Sequence, residues 1–454
     1  MRFMAADVAR AVAGELVGSN AHLSGVSFDS RTILPGQLFV PIIDQRDGHD
    51  FIADALKRGA GAYLTSREPQ GRTAIRVSET VAALLTLGAW GRAKLDQNLG
   101  LRVVGVTGSV GKTSTKDLVA SALSVAFKTH ANERSFNNDF GLPTTILNAP
   151  DETQALVLEM GMRGFGEIAK LCAVALPQIG IVTAVAKAHT ERVGSIDGVA
   201  KAKRELIEAL PKTGIAILNR DDERVWAMHS ATEATVLSFG ASEHADVQMV
   251  KCAIDDRGCA TANVESPWGK VELKMQVAGR HMAHNALAAL CVAGALGIDM
   301  GAAASAVSSA KISEFRMQMR KLQSGVTVID DSYNANPASM RAALETLASI
   351  NAKRKVAFCG LMAELADAAT EHQAIRQYAT ELGIELIAVN TDLYDVDAVS
   401  FDQARDQLDR QRLHALLLPH GAGRVPAVVV SADRDVAAGE HVSTLFRRAG
   451  SAAA

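Results

Sequence analysis

The stretch that most constrains this chain is its passage from an apolar, β-branched run into a glycine-rich turn. Leu101-Arg-Val-Val104 leads into Gly105-Val-Thr-Gly-Ser-Val-Gly-Lys-Thr-Ser-Thr115. The pattern reads as a strand, a phosphate loop and a helix. Consecutive backbone N–H groups in such a loop cradle phosphate oxygens, and the helix adds the positive end of its dipole. Gly108, Ser109, Gly111, Lys112, Thr113 and Ser114 are the cradle residues, with Lys112 reaching the terminal phosphates and the Thr113 hydroxyl offered to Mg²⁺. The strict motif wants glycine where Val106 stands, so its first glycine is displaced to Gly105.

A fold organised by such a loop is an α/β fold, and the rest of the chain agrees. From residue 101 onward, apolar runs at 103–106, 155–158, 179–185 and 214–218 alternate with helical patterns. Near-continuous apolar strands separated by helices predict a doubly wound parallel sheet covered on both faces. Before it, residues 1–98 read as a small α/β unit. After residue 311 the alternation restarts at 326–329, 355–358, 385–389 and 427–430, a Rossmann-like unit without a second phosphate loop. Three units suit a length of 454 residues. A formal net charge of -3 gives no global field for nucleic acid or an anionic membrane, so phosphate must be held locally. The five cysteines lack paired or metal-ligand spacing, and no apolar run is long enough to span a bilayer. The expectation is a cytoplasmic monomer with small-molecule partners, no nucleic acid and no membrane.

Ligands of open parallel sheets sit at the carboxyl ends of the strands. That rule selects Glu159, after the run 155–158, and His189, after the run 179–185. Alone, Glu159 reads as a cap or solvated residue and His189 as a structural histidine; beside a phosphate loop, a carboxylate suited to Mg²⁺ becomes the better reading. In the helical segment 198–210, Val199, Ala202, Leu206 and Leu210 form one stripe. Lys203 points into that stripe and Lys201 away from it. A lysine on a packed face must be paired, snorkelling or chemically altered, and carbamylation by CO₂ would make it an anionic oxygen ligand. Asn285 reads either as a cap of the helix 286–296 or as a donor and acceptor for a purine edge. In the first unit, Phe28-Asp-Ser-Arg31 is a polar turn.

Taken in order, several segments form a set far more specific than any member: Thr107-Gly-Ser-Val-Gly-Lys-Thr-Ser114, Ser135-Phe-Asn-Asn-Asp-Phe-Gly-Leu-Pro143, Glu159-Met-Gly-Met-Arg163, Ala188-His189, Ala200-Lys-Ala-Lys203, Gly279-Arg-His281 with Asn285, and Asp330-Asp-Ser-Tyr-Asn-Ala-Asn-Pro337. From near residue 25 to about residue 375 the chain resembles the Mur ligases of peptidoglycan synthesis. The resemblance implies three domains: 1–98 for a UDP-sugar, 99–311 for ATP, and 312–454, Rossmann-like, for the incoming amine. It implies an ATP-dependent, ADP-forming carbon–nitrogen ligase working through an acyl phosphate, with UDP-N-acetylmuramoyl-tripeptide and D-Ala-D-Ala as the best-matching substrates.

Residue by residue, the resemblance makes Thr113 and Glu159 ligands of one Mg²⁺, and His189 and carbamylated Lys203 ligands of a second. Lys112, Asn138, His189 and Lys203 take catalytic roles, with Asn137 and Asn138 lining the reacting centre. His281 and Asn285 meet the adenine, Arg316, Asp331 and Tyr333 the nucleotide across the domain boundary, and Ser30 and Arg31 the UDP-sugar. Three departures stand out. Met282 replaces an asparagine that often follows the histidine. Gly360-Leu-Met-Ala-Glu-Leu365 has leucine where the family usually has aspartate. A basic lysine-glycine-serine-arginine segment is not recognisable near the end, where Ser431-Ala-Asp-Arg-Asp435 and Phe446-Arg-Arg448 stand. Two rival readings are a relative that joins another amine to another carboxylate, as folylpolyglutamate synthetases do, and an ATP-gated binding protein without ligation.

Overall fold

A computed structural model describes residues 1–100, 102–133, 136–187, 190–321, 327–400, 403–404 and 427–431. His189 and the segments 432–435 and 446–448 lie outside the described residues.

The phosphate-loop strand, Val103–Thr107, lies inside a nine-stranded sheet. Its parallel neighbours are Ala155–Glu159 and Ile179–Val182. The sheet runs from Thr129–Ala131 at one edge, through these strands, Ile215–Asn219 and Thr235–Gly240, to Val247–Ile254, Cys259–Ser266 and Gly269–Ala278. Only the last two pairings are antiparallel. Thus the strand-rich stretch 220–278 is an extension of the same sheet. The alternation of side chains explains why the strands are apolar throughout. Val104, Val106, Val157, Ile179 and Ile181 pack into one core, whereas Val103, Leu156, Leu158 and Val182 pack into another on the opposite face.

The flanking units use those two cores. Val26, Leu38, Leu64 and Ile75 of the first unit share a core with Leu142, Ile146 and Leu156. Their sheet has five strands in the order Glu15–Val17, Ala74–Arg76, Ala62–Thr65, Leu38–Phe39, Val26–Ser27. Ile329, Met340, Leu344 and Ala357 of the last unit join the other core. Its sheet orders Gln318–Lys321, Thr327–Asp330, Ala427–Ser431, Lys355–Cys359 and Glu385–Ala388, parallel except for the first strand. Asn336 caps the helix Pro337–Ser349, accepting from the N–H groups of Ala338 and Ser339.

One helix start differs from the sequence expectation. The helix expected from residue 286 spans Arg280–Ala295, so Asn285 sits within it and does not cap its N-terminus. Gly279, at φ 109°, makes the entry turn that the sequence reading assigned to the following residues. No described helix is long and apolar enough to cross a membrane.

Candidate active site

The sheet, the phosphate loop and the last unit meet in one crevice. Ser109, Gly111, Lys112, Thr113 and Ser114 line one wall, His281 and Asn285 a second, and Arg316 and Asp331 a third. Residues more than two hundred positions apart are thus assembled around the loop.

The loop geometry depends on glycine. Gly108 has φ +154°, and a Cβ there would lie 1.9 Å from Thr183 Oγ1. Gly111 has φ +79°, and its Cβ would come within 2.9 Å of Asn285 Oδ1. A missing side chain on Gly111 therefore lets the helix 280–295 approach the loop, which explains how Asn285 reaches the crevice from mid-helix. Thr183 was not singled out from sequence. Its hydroxyl donates to Val110 O at 2.6 Å and braces the loop from the neighbouring strand end.

The charged groups at the loop are held in a state suited to a ligand. Lys112 Nζ folds back to donate to Gly108 O at 2.8 Å. Burial, with Arg316 adding to it and Glu159 opposing it, lowers its pKa below the usual lysine value. Arg316 Nη2 donates to Thr113 Oγ1 at 3.3 Å, and the guanidinium lies 4.1 Å from the Tyr333 ring centroid. Its buried Nε has no hydrogen-bond partner among the described residues. Across the boundary, burial raises Asp331 to about 7 despite nearby Arg316, and Asp331 Oδ1 accepts from Met317 N–H. Burial also lowers His281 to about 4, so its imidazole is neutral near pH 7.

Glu159 is buried at the end of its strand, as the switch-point rule requires. Asn137 Nδ2 donates to its Oε1 at 2.7 Å, while Oε2 is buried without a partner among the described residues. A half-satisfied buried carboxylate is costly unless something else uses the second oxygen, and a cation is the natural occupant. Together with the Thr113 hydroxyl and the cradle around Gly108 and Gly111, this oxygen fits a Mg–nucleotide. Lys203 is also buried, on the packed face of the helix Ile196–Glu208, whereas Lys201 is exposed. Burial, and then the charge of Lys112, push Lys203 well below the usual lysine range. No hydrogen bond or ion pair reaches it among the described residues.

The remaining predicted residues fall elsewhere. Asn138 accepts from Gly141 N–H at 3.0 Å and so organises the start of the helix Gly141–Asn148, with its side chain on the backbone. Ser30 is buried, and Arg31 forms a forked pair with Asp29 (2.9 and 2.8 Å). Asp29 and Arg31 line a separate cleft between the first unit and the central sheet, with His130, Glu133 and Phe136 opposite. Phe28 packs edge-on against Phe136 and Phe140 at the same place.

The comparisons with known proteins agree with this assembly. Residues 106–293 match the Mur ligase middle domain, and 315–448 the Mur ligase, glutamate ligase domain, which extends through the region where no basic segment was recognisable. The chain is 38% identical to the UDP-N-acetylmuramoyl-tripeptide--D-alanyl-D-alanine ligase of Mycobacterium tuberculosis (strain ATCC 25618 / H37Rv) over 393 residues, covering 80% of this chain and 77% of that protein. It is 35% identical to the enzyme of the same name from Escherichia coli (strain K12) over 383 residues, covering 82% of each. Among solved structures, MurF from Acinetobacter baumannii superposes with a TM-score of 0.86 at 26% identity over 99% of both chains. MurF ligase from Thermotoga maritima in complex with ADP superposes at 0.75, with 26% identity over 90% of this chain and 93% of that one. The Mycobacterium tuberculosis folylpolyglutamate synthase, at 15% identity and TM-score 0.55 over 76% of this chain and 92% of that one, shares the fold. Two family matches, relatives at 35% and 38% identity over four-fifths of the chain and a three-domain fold in common place this chain in the Mur ligase family.

Proposed function

We propose that the chain joins D-Ala-D-Ala to UDP-N-acetylmuramoyl-tripeptide at the expense of ATP, with residues 1–98 holding the UDP-sugar, 99–311 the nucleotide and 312–454 the dipeptide. The observation that carries this reading is the convergence of the loop with Arg316 and Asp331 from the last unit in one crevice, with Glu159 close enough for its charge to act on Lys112 of the loop. The relatives named for this reaction support the choice of substrates.

A carboxylate is a poor electrophile at neutral pH, so its oxygen must first become part of a leaving group. The tripeptide carboxylate attacks the terminal phosphorus of ATP, giving an acyl phosphate and ADP. The dipeptide amine then attacks the acyl carbon, and phosphate leaves. Lys112 unfolds from Gly108 O to neutralise charge on the transferring phosphoryl group, and Arg316 leaves Thr113 for the nucleotide. Neutral His281 and Asn285 offer uncharged donors and acceptors to the adenine. Thr113 and Glu159 would hold one Mg²⁺, and His189 with carbamylated Lys203 a second; the metal supplies charge neutralisation at the phosphates. Burial, which pushes Lys203 well below the usual lysine range, supports carbamylation, because a neutral amine is the form that adds to CO₂. A phosphate-release screen of UDP-muramoyl-tripeptide against amino acids and dipeptides tests the proposal. Release only with D-Ala-D-Ala is expected; release with a different amine, or none dependent on an acceptor, overturns it.

A further inference from the structure

Behind the crevice runs a buried polar chain that none of the roles above uses. Lys116, one helical turn beyond Lys112, is 1% exposed, and its ammonium donates to the backbone carbonyl of Asn132 at 2.6 Å. The same ammonium pairs with Asp117 Oδ1 at 2.9 Å. Asn132 is buried as well, just past the edge strand Thr129–Ala131. Its Oδ1 accepts from the backbone N–H of Glu159 at 2.6 Å, and its Nδ2 donates to Phe136 O, next to Asn137. On the other side, Asp117 Oδ2 accepts from both the N–H and the hydroxyl of Ser313, each at 2.8 Å. Ser313 stands three residues before Arg316.

We infer that Lys116 is a positioning residue that fixes the Glu159 carboxylate through Asn132 and ties it, through Asp117 and Ser313, to the segment that delivers Arg316. A buried lysine between a carbonyl and a carboxylate carries a desolvation cost that an apolar residue of similar length would avoid, so what it contributes here is geometry. Here both arms end on the nucleotide site. Asn132 sets the backbone and, through the Phe136–Asn137 turn, the side chain of Glu159, so its free oxygen is presented in one place. Ser313 ties the last unit to the same helix, so displacement of Arg316 and alignment of Glu159 are mechanically linked.

The inference rests on Glu159 being a metal ligand, and the test separates the two. Mn²⁺ binding in the presence of ADP, read from the paramagnetic resonance of the free ion, is measured for the full chain, Lys116→Met and Ser313→Ala, with ADP binding measured separately in EDTA. Lys116→Met is expected to weaken Mn²⁺ by about tenfold or more, as for partners behind a metal ligand, and to leave ADP binding in EDTA unchanged. Ser313→Ala shifts Mn²⁺ in the same direction by a smaller factor, and keeps the test decisive if Lys116→Met does not fold. Wild-type Mn²⁺ affinity in the folded variants, or equal losses of Mn²⁺ and ADP affinity, overturns the inference. No ADP-dependent Mn²⁺ binding by the unaltered chain overturns the Glu159 assignment and the inference with it.

Discussion

His281 and Asp331 line the same crevice, and burial displaces them in opposite directions, His281 down to about 4 and Asp331 up to about 7. Each displacement has a consequence for stability, and the two have opposite signs. For His281 the unfolded chain binds the extra proton between pH 4 and 6.5, so this group's contribution is lost as pH falls through that window. For Asp331 the folded chain binds the extra proton between 3.8 and 7, so its contribution is lost as pH rises. At 1.36 kcal/mol per unit the two amount to about 3 and about 4 kcal/mol as upper bounds, and largely offset one another. Relative to wild type, Asp331→Asn should lose stability as the pH falls from 6.5 to 4, and His281→Asn as it rises over the same range. Chemical denaturation across pH checks this; parallel curves for all three proteins would defeat it.

Lys203 is expected to trade stability for function. Its buried amine has no partner among the described residues, so Lys203→Met should leave the fold as stable or raise it by about 1 kcal/mol. Ligation should nevertheless be abolished, and in Lys203→Ala short added carboxylates should partly restore it. Lys201→Ala, on the exposed face, should change activity little. Full activity in Lys203→Ala would remove the carbamate from the mechanism.

Much of this site was legible because it obeys one-dimensional rules. The strand–loop–helix order follows from the loop motif, the strand-end position of Glu159 from the apolar run before it, and the inward direction of Lys203 from helical periodicity. Asn285 was legible as an adenine candidate but not as a mid-helix residue, because the entry turn at Gly279 was not recognised. Thr183, Lys116 and Asn132 were missed because their partners are backbone carbonyls and N–H groups contributed by segments distant in sequence. The strand Thr129–Ala131 is three residues long and carries His130, so it lacks an apolar run, and the rule that found Glu159 could not be applied to Asn132 beyond it.

The phosphate loop should tolerate no side chain at Gly108. A Cβ would overlap Thr183 Oγ1, which is itself bonded to Val110 O at 2.6 Å, so the strand end and the loop must separate to admit it. Gly108→Ala is expected to cost about 1–3 kcal/mol of stability and to weaken ATP binding by more than about tenfold. Thr183→Ser keeps the hydroxyl and should bind ATP as the wild type does. ATP titration by calorimetry distinguishes the three; unimpaired binding by Gly108→Ala would show that the loop is not braced by this contact.

Arg316 is held by contacts that a bound nucleotide would replace. It spends one N–H on Thr113 Oγ1, stacks on Tyr333 and leaves Nε buried without a partner among the described residues, an arrangement that costs about 1–3 kcal/mol for the orphaned donor. A nucleotide phosphate would satisfy that donor and free the Thr113 hydroxyl at once. Arg316→Met should therefore be as stable as wild type or slightly more so without ligand, yet bind ATP about tenfold more weakly or worse. Arg316→Lys should be nearly as impaired in binding, because an ammonium neither forks nor stacks as a guanidinium does. The thermal shift produced by ATP reads both effects in one titration: a raised or unchanged midpoint without ligand and a reduced shift with it. A variant that is clearly destabilised without ligand while showing the full ATP shift would make Arg316 a structural arginine.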